Sequence, residues 1–224
     1  MLALIDADIV AYPVGFASET ETAKIAISRA GEFMEELVMK PYVGDYKGFL
    51  TGSNNFRNSI AVTKKYKGNR SQPKPVHYEV IREYLVSAWA CEVQEGQEAD
   101  DAIGIEAYSM DVEDTIIMSI DKDLNMIRGH HYNFIKDEKY FVEEDEAIKF
   151  FYTQCLTGDR TDNIPGLDRV GPVKAAKILE GKSTEKEMYE AVLEAYEGRK
   201  EYLCEQARLL WIRRSKDQIW NPPE

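Results

Sequence analysis

The chain has 224 residues and carries 40 Asp plus Glu against 28 Lys plus Arg, a net charge of −12. That surplus of acid excludes a protein that coats nucleic acid by charge alone, although a local basic patch remains open to it. An apolar fraction of 44% with 11% aromatic residues supports a packed core and excludes intrinsic disorder as the main state. Cys91, Cys155 and Cys204 are widely spaced, form no CxxC pair and have only three histidines to help them. A disulfide framework or a structural zinc site is therefore not expected. Met1 to Ile5 runs into Asp6 and Asp8 with no basic residue ahead, unlike a secretory signal, and no apolar run approaches membrane-spanning length. The expectation is a cytoplasmic protein, not secreted, with no membrane partner.

Leu2 to Asp6 is a short apolar run that stops at a carboxylate, as a buried parallel strand does at its C-terminal edge. A helix is predicted over about 21–39, and a short strand at Phe49-Leu50 that gives way to the loop from Thr51 to Asn55. Pro75 opens a second helix with Val80, Ile81, Tyr84, Leu85, Ala88 and Trp89 on its apolar face, followed by a strand at Cys91 to Val93. A further helix begins near Glu98, and Thr115 to Ile120 is the clearest strand, again ending in acids, Asp121 and Asp123. Strands alternating with helix-sized connections predict an α/β fold with a largely parallel central sheet flanked by helices. Beyond about Glu143 the pattern is helical. The domains read as 1–142, including a basic loop at 54–78, and a helical region at 143–224.

Four separated segments deliver acids from strand ends or helix starts: Asp6 with Asp8, Glu98 with Asp100 and Asp101, Asp121 with Asp123, and Asp159 with Asp162. Like charges brought together repel unless a cation sits between them. Their oxygen-only character favours Mg²⁺ or Mn²⁺ over Zn²⁺, and two such ions suit phosphoryl transfer. A solvated helix start would also explain Glu98 to Asp101. Asp121 and Asp123, two apart, would point to one side of an extended segment.

From Tyr46 to Tyr78 there is no acid and there are seven bases, so this segment is +7 and the rest of the chain −19. Lys64, Lys65, Lys67 and Arg70 surround Tyr66, whose ring could stack on a base while the cations neutralise phosphates. A solvated loop that balances net charge is the plainer alternative.

Thr157 to Leu167, followed by Val170 to Ala176, resembles the 5′ nuclease family that includes flap endonucleases and the 5′ nuclease domain of bacterial DNA polymerases. Glu98-Ala99-Asp100-Asp101, Ser119 to Asp123 and Tyr66 to Arg70 look like three further motifs of that family in the same order, together covering most of residues 1–180. The short length, Asn55-Phe56-Arg57 and the tail Gln206 to Leu210 look most like its phage replication 5′-3′ exonucleases.

The resemblance implies a PIN-like 5′ nuclease core and a C-terminal helix-three-turn-helix element at about 156–180. It implies a site for two divalent ions made by Asp6, Glu98, Asp100, Asp101, Asp121, Asp123, Asp159 and Asp162, with Asp6, Asp101 and Asp121 central to catalysis. Lys67 and Arg70 would reach the scissile phosphate. DNA contacts are implied at Arg57, Lys64, Lys65 and Tyr66, and in the hairpin at Gly166, Gly171 and Lys174, often with a K⁺ ion there. The expected partner is duplex DNA with 5′ ends, flaps or RNA–DNA junctions. One departure stands out: many members carry an Asp at the end of the second strand, where this chain reads Phe49-Leu50-Thr51-Gly52-Ser53. Asp8 could compensate, and the short basic segment implies an open or partly disordered clamp. The rival readings are a catalytically weak, structure-specific DNA-binding protein and an aspartyl phosphatase of the haloacid dehalogenase type, to which Leu4 to Asp8 is similar.

Overall fold

The computed structural model describes all 224 residues, which pack as two compact units. The first comprises Met1–Asn55, Gln72–Leu124 and Gly129–Phe141; the second comprises Phe56–Ser71, Asn125–Arg128 and Val142–Glu224.

The first unit is built on β1 (Leu2–Asp6), α1 (Asp8–Ala17), α2 (Ala23–Val38) and β2 (Asp45–Thr51). The sheet has the order β3-β2-β1-β4-β5-β6, and its strands β1 to β5 pair in parallel. Here β3 is Glu92–Gln94, β4 Thr115–Met118, β5 Gly129–Asn133 and β6 Glu138–Val142. Registering Asp6 beside Phe49 and Ile5 beside Met118 brings the ends of β1, β2 and β4 to one edge. β1 and β4 are central and buried on both faces, which is why they read as unbroken apolar runs. Val10, Ala11, Ala26, Ala30, Met34, Ile81 and Leu85 from the helices close the core over Ala3, Ile5, Ile116 and Met118.

α1 and the β5–β6 pair were not foreseen: α1 is an almost wholly apolar run interrupted by Pro13 and Gly15, and β5 and β6 mix polar and apolar types without a clear period. The segment after β4 is not extended: Lys122–Met126 is a turn of 3₁₀ helix, so Asp121 and Asp123 do not share a strand face.

The second unit holds α3 (Arg57–Ile60), α6 (Glu144–Thr157), α7 (Pro172–Ile178), α8 (Glu185–Ala195) and α9 (Lys200–Leu210). Its core includes Phe151, Tyr152, Val192, Tyr196, Leu203 and Ala207, with Trp211 and Trp220 edging the Phe151 ring. Thr184 caps α8 in a reciprocal box with Glu187. Residues 56–71 of the basic loop pack with these helices rather than with the sheet, a division the sequence reading drew at residue 142. Arg57 causes it. Its guanidinium is 2% exposed and donates to the carbonyls of Leu209 and Trp211 at 2.9 and 2.7 Å, the last carbonyls of α9 and its cap. No helix in the chain is long and apolar enough to cross a membrane.

Candidate active site

In the first unit the acids gather where β1, β2 and β4 end. Asp6 closes β1, is 4% exposed, and accepts a hydrogen bond from the Asp8 amide at 3.1 Å. Burial pushes its carboxyl up to about 8, and the charges of Asp8 and Asp121 add to the rise. Ser119 ties the two strands' acids together, its hydroxyl lying 3.4 Å from Asp6 Oδ2 and accepting from the Asp121 amide at 2.9 Å. Asp121 in turn accepts from the Asp123 amide at 2.9 Å, the local bond that winds this segment into a turn. Asp123 pairs with its neighbour Lys122 at 2.5 Å.

α5 (Ala99–Ser109) presents its first turn to the same edge. Glu98 is its cap and Asp101 the reciprocal partner, each side chain accepting the other's amide, with the Glu98 amide 3.1 Å from Asp101 Oδ2. Both are buried, and Asp100 lies half-buried beside them. The same residues that start the helix thus supply the acids, which is why the motif is both a helix signal and a site signal.

At the end of β2 stands Thr51, where the family pattern called for an acid. Its amide donates to Asp8 Oδ2 at 2.9 Å, and its hydroxyl accepts from the Ala99 amide at 3.0 Å. Arg82, on α4 (Tyr78–Trp89), donates to Asp8 Oδ1 at 3.0 Å and to the Thr51 carbonyl at 2.9 Å. Burial raises the Asp8 pKa and Glu98 adds to it, against the hydrogen bonds from Thr51 and the charge of Arg82. Asp8 therefore does reach the second strand's end. Sequence reasoning missed Arg82 altogether, since nothing local marks a residue 74 positions away as its partner.

In the second unit Gly158 ends α6, and Asp159 forms a two-bond bridge with Ile164 at 2.8 and 2.7 Å. The Asp159 carboxylate is turned onto its own loop, accepting from the amides of Thr161 and Asp162 at 2.6 and 3.2 Å. Asp162 is met by the basic loop: Tyr66 hydroxyl at 2.7 Å, Arg70 at 2.8 Å and Lys67 Nζ at 3.6 Å. Two further bonds fix this clasp, from the Lys67 backbone amide to the Asp162 carbonyl at 2.9 Å and from the Asn163 side-chain Nδ2 to the Lys65 carbonyl at 2.9 Å. Glu205 accepts from the amides of Val62 and Thr63 at 2.8 and 2.7 Å. The loop is pinned rather than open.

Three of the residues expected to contact DNA are buried. Arg57 is a buried anchor of α9. Tyr66 is 5% exposed, with its ring beneath Lys67 Nζ at 5.0 Å, and has no free face for a base. The Gly166 amide points inward to Gln206 Oε1 at 3.4 Å. Gly166 is a glycine because φ is +64° and a Cβ there would strike the Gly158 backbone. By contrast Lys64, Lys65, Gly171 and Lys174 are exposed. Lys64, Asn69, Arg160, Arg169 and Gly171 line a cleft of about 710 Å³ in this unit, a basic setting that suits a phosphate backbone.

No three or more Asp, Glu, His or Cys side chains converge at metal-holding spacing, so the eight acids expected at the metal site do not form a closed ligand shell. The donor chemistry nonetheless fits a hard divalent cation. The first unit's edge offers carboxylate oxygens, those of Asp6, Glu98 and Asp101 buried and those of Asp121 exposed, with like charges pressing on Asp6.

This arrangement, a parallel α/β sheet with acids at its strand ends, defines a fold shared with solved nucleases. The phage T5 flap endonuclease, solved in a complex with DNA and metal ions, superposes with a TM-score of 0.71 at 16% identity, over 93% of this chain and 88% of that one. The T5 5′-exonuclease solved with zinc ions superposes at 0.69 and 16% identity, over 94% and 88%. In sequence, DNA polymerase I of Rhizobium leguminosarum is 35% identical over 133 residues, 51% of this chain and 13% of the polymerase. A 5′-3′ exonuclease of Buchnera aphidicola is 31% identical over 160 residues, 63% of this chain and 54% of that protein. The matched segment thus spans about half of this exonuclease and a small part of the polymerase. No protein-family model matches the chain. The chain is a homologue of proteins named 5′-3′ exonuclease and DNA polymerase I, which bears out the resemblance drawn from its motifs.

Proposed function

We propose that this chain is a divalent-metal-dependent 5′-3′ exodeoxyribonuclease, with flap endonuclease or RNase H-like activity, acting on DNA in phage-type replication or repair. The observation that carries the reading is the buried Asp6, its carboxyl pushed up to about 8 among Asp8 and Asp121, in a chain whose relatives are nucleases. Acids crowded at a strand end are costly unless a proton or a cation meets them, and oxygen donors of this kind suit a hard divalent cation. Asp6, Glu98, Asp101 and Asp121 would hold Mg²⁺ or Mn²⁺, two ions in the full site. Bound there, the ions supply a more acidic water as nucleophile and positive charge for the leaving 3′ oxygen.

The chain's own part is binding and orientation. Ser119 and the α5 capping box hold the acids' rotamers before substrate arrives. Lys67 and Arg70, paired with Asp162 in the chain, would reach the phosphoryl oxygens, and the cleft lined by Lys64, Arg160 and Arg169, together with the exposed Lys174, would take the duplex backbone. The stretch from α6 to α7 is read as the helix-three-turn-helix, where a K⁺ ion would bind. Products would carry 5′-phosphate and 3′-hydroxyl. The relatives lend no support to the phosphatase reading.

The test is cleavage of duplexes labelled separately at their 5′ and 3′ ends, with a 5′-flap substrate alongside, in Mg²⁺, Mn²⁺ and EDTA. Metal-dependent loss of the 5′ label as short products is expected. Duplex binding without cleavage, or phosphate release from small phosphomonoesters, would overturn the reading.

A further inference from the structure

The pairing of Asp8 with Arg82 is not explained by the reaction just described. Asp8 opens α1 two residues after Asp6, close enough for its charge to act on the Asp6 carboxyl, and Glu98 acts on Asp8 in turn. Left to itself, such a carboxylate would add a further donor to the acid group. Instead both its oxygens are taken by the chain: Oδ1 by Arg82 at 3.0 Å and Oδ2 by the Thr51 amide at 2.9 Å.

Arg82 is itself fixed at three points. It donates to Asp8, to the Thr51 carbonyl at 2.9 Å and to the Tyr78 hydroxyl at 3.2 Å, one helical turn back on α4. The pair is only 14% and 17% exposed, so it is shielded from solvent far better than a surface bridge. The forked guanidinium matters, because one group reaches a carboxylate and a carbonyl together. An acid at the next position, Gly52, is closed off, since a Cβ there would lie 2.6 Å from the Gln94 carbonyl oxygen.

We propose that Arg82 is a positioning residue that acts as a built-in counter-cation: it holds Asp8 on the end of β2 and keeps that carboxylate out of the divalent-ion site of Asp6, Glu98, Asp101 and Asp121. The inference rests on reading those acids as a metal site. It adds that the second strand's end, in this chain, is closed by an internal ion pair in place of a ligand.

Mn²⁺ binding to the full chain, without DNA, tests it by electron paramagnetic resonance of the free ion. Arg82→Met should bind Mn²⁺ about tenfold more tightly than the parent, because an unneutralised carboxylate now faces the site. Asp8→Asn combined with Arg82→Met should return to within about threefold of the parent, since a net-neutral pair has been replaced by a neutral one. Arg82→Lys, which keeps the charge but loses the fork, should tighten binding by a smaller factor, and it decides the matter should Arg82→Met fold poorly. Unchanged or weaker binding in both Arg82 variants would overturn the proposal. So would a double variant weakened about tenfold, which would make Asp8 a ligand. A parent chain that binds no Mn²⁺ would instead sink the metal-site reading along with the inference.

Discussion

Asp6 in the first unit and Asp162 in the second meet opposite surroundings. At the sheet edge of the first, Asp6 is pushed up to about 8 by burial and by neighbouring acids, a repulsion the fold leaves in place. In the second, Asp162 has Arg70 at 2.8 Å and Lys67 at 3.6 Å, and Glu144 has Arg214 at 2.6 Å and Arg128 at 3.0 Å. Charges relieved within the chain build structure and surface; on the proposed function, the acids crowded around Asp6 are where a cation would act. On the same reading, the first unit would hold the ions, and the second, anchored at Arg57, would supply the cations that meet phosphate.

The sharpest way to break the division is Asp121→Asn. Cleavage should fall by about 100-fold or more while duplex binding stays within about twofold, as gel shift and single-turnover kinetics would show. Retained turnover would remove Asp121 from the chemistry. Arg57→Ala probes the anchoring side. It leaves two buried carbonyls without their charged donor and should cost about 2 to 3 kcal/mol in urea unfolding, with metal binding unchanged. If its effect fell on DNA affinity alone, the buried-anchor assignment would fail. Replacing Lys64 and Arg160 together by Ala should weaken duplex binding about tenfold and lower its salt slope by about 2, without touching Mn²⁺ affinity. Glu205→Ala should have the smallest effect, a few-fold faster amide exchange at Val62 and Thr63 as the loop loosens.

What was legible in the sequence was local. β1 and β4 announce themselves as apolar runs ending in acids, and Glu98 to Asp101 starts a helix by its own capping chemistry. What was not legible depends on partners far along the chain. Arg57 and Tyr66 read as DNA contacts; that both are buried rests on partners 152, 154 and 96 residues away, Leu209, Trp211 and Asp162. Asp121 and Asp123 read as a strand pair, yet the Asp123 amide folds back on the Asp121 side chain and ends the strand. The missing second-strand acid was visible as Thr51; its replacement by an ion pair from α4 was not.

Thermal unfolding at pH 8 in EDTA, parent against Asp6→Asn, tests the central claim that the first unit's acids await a cation. Asp6 holds its proton in the native chain up to about 8, whereas the unfolded chain releases it near the ordinary 3.8. The native state thus binds the extra proton, and stability falls as pH rises from about 4 towards 8. The account predicts that Asp6→Asn melts higher than the parent at pH 8 and loses the stabilisation that Mn²⁺ gives the parent. A variant that melts lower in EDTA, or is stabilised by Mn²⁺ as fully as the parent, would contradict it.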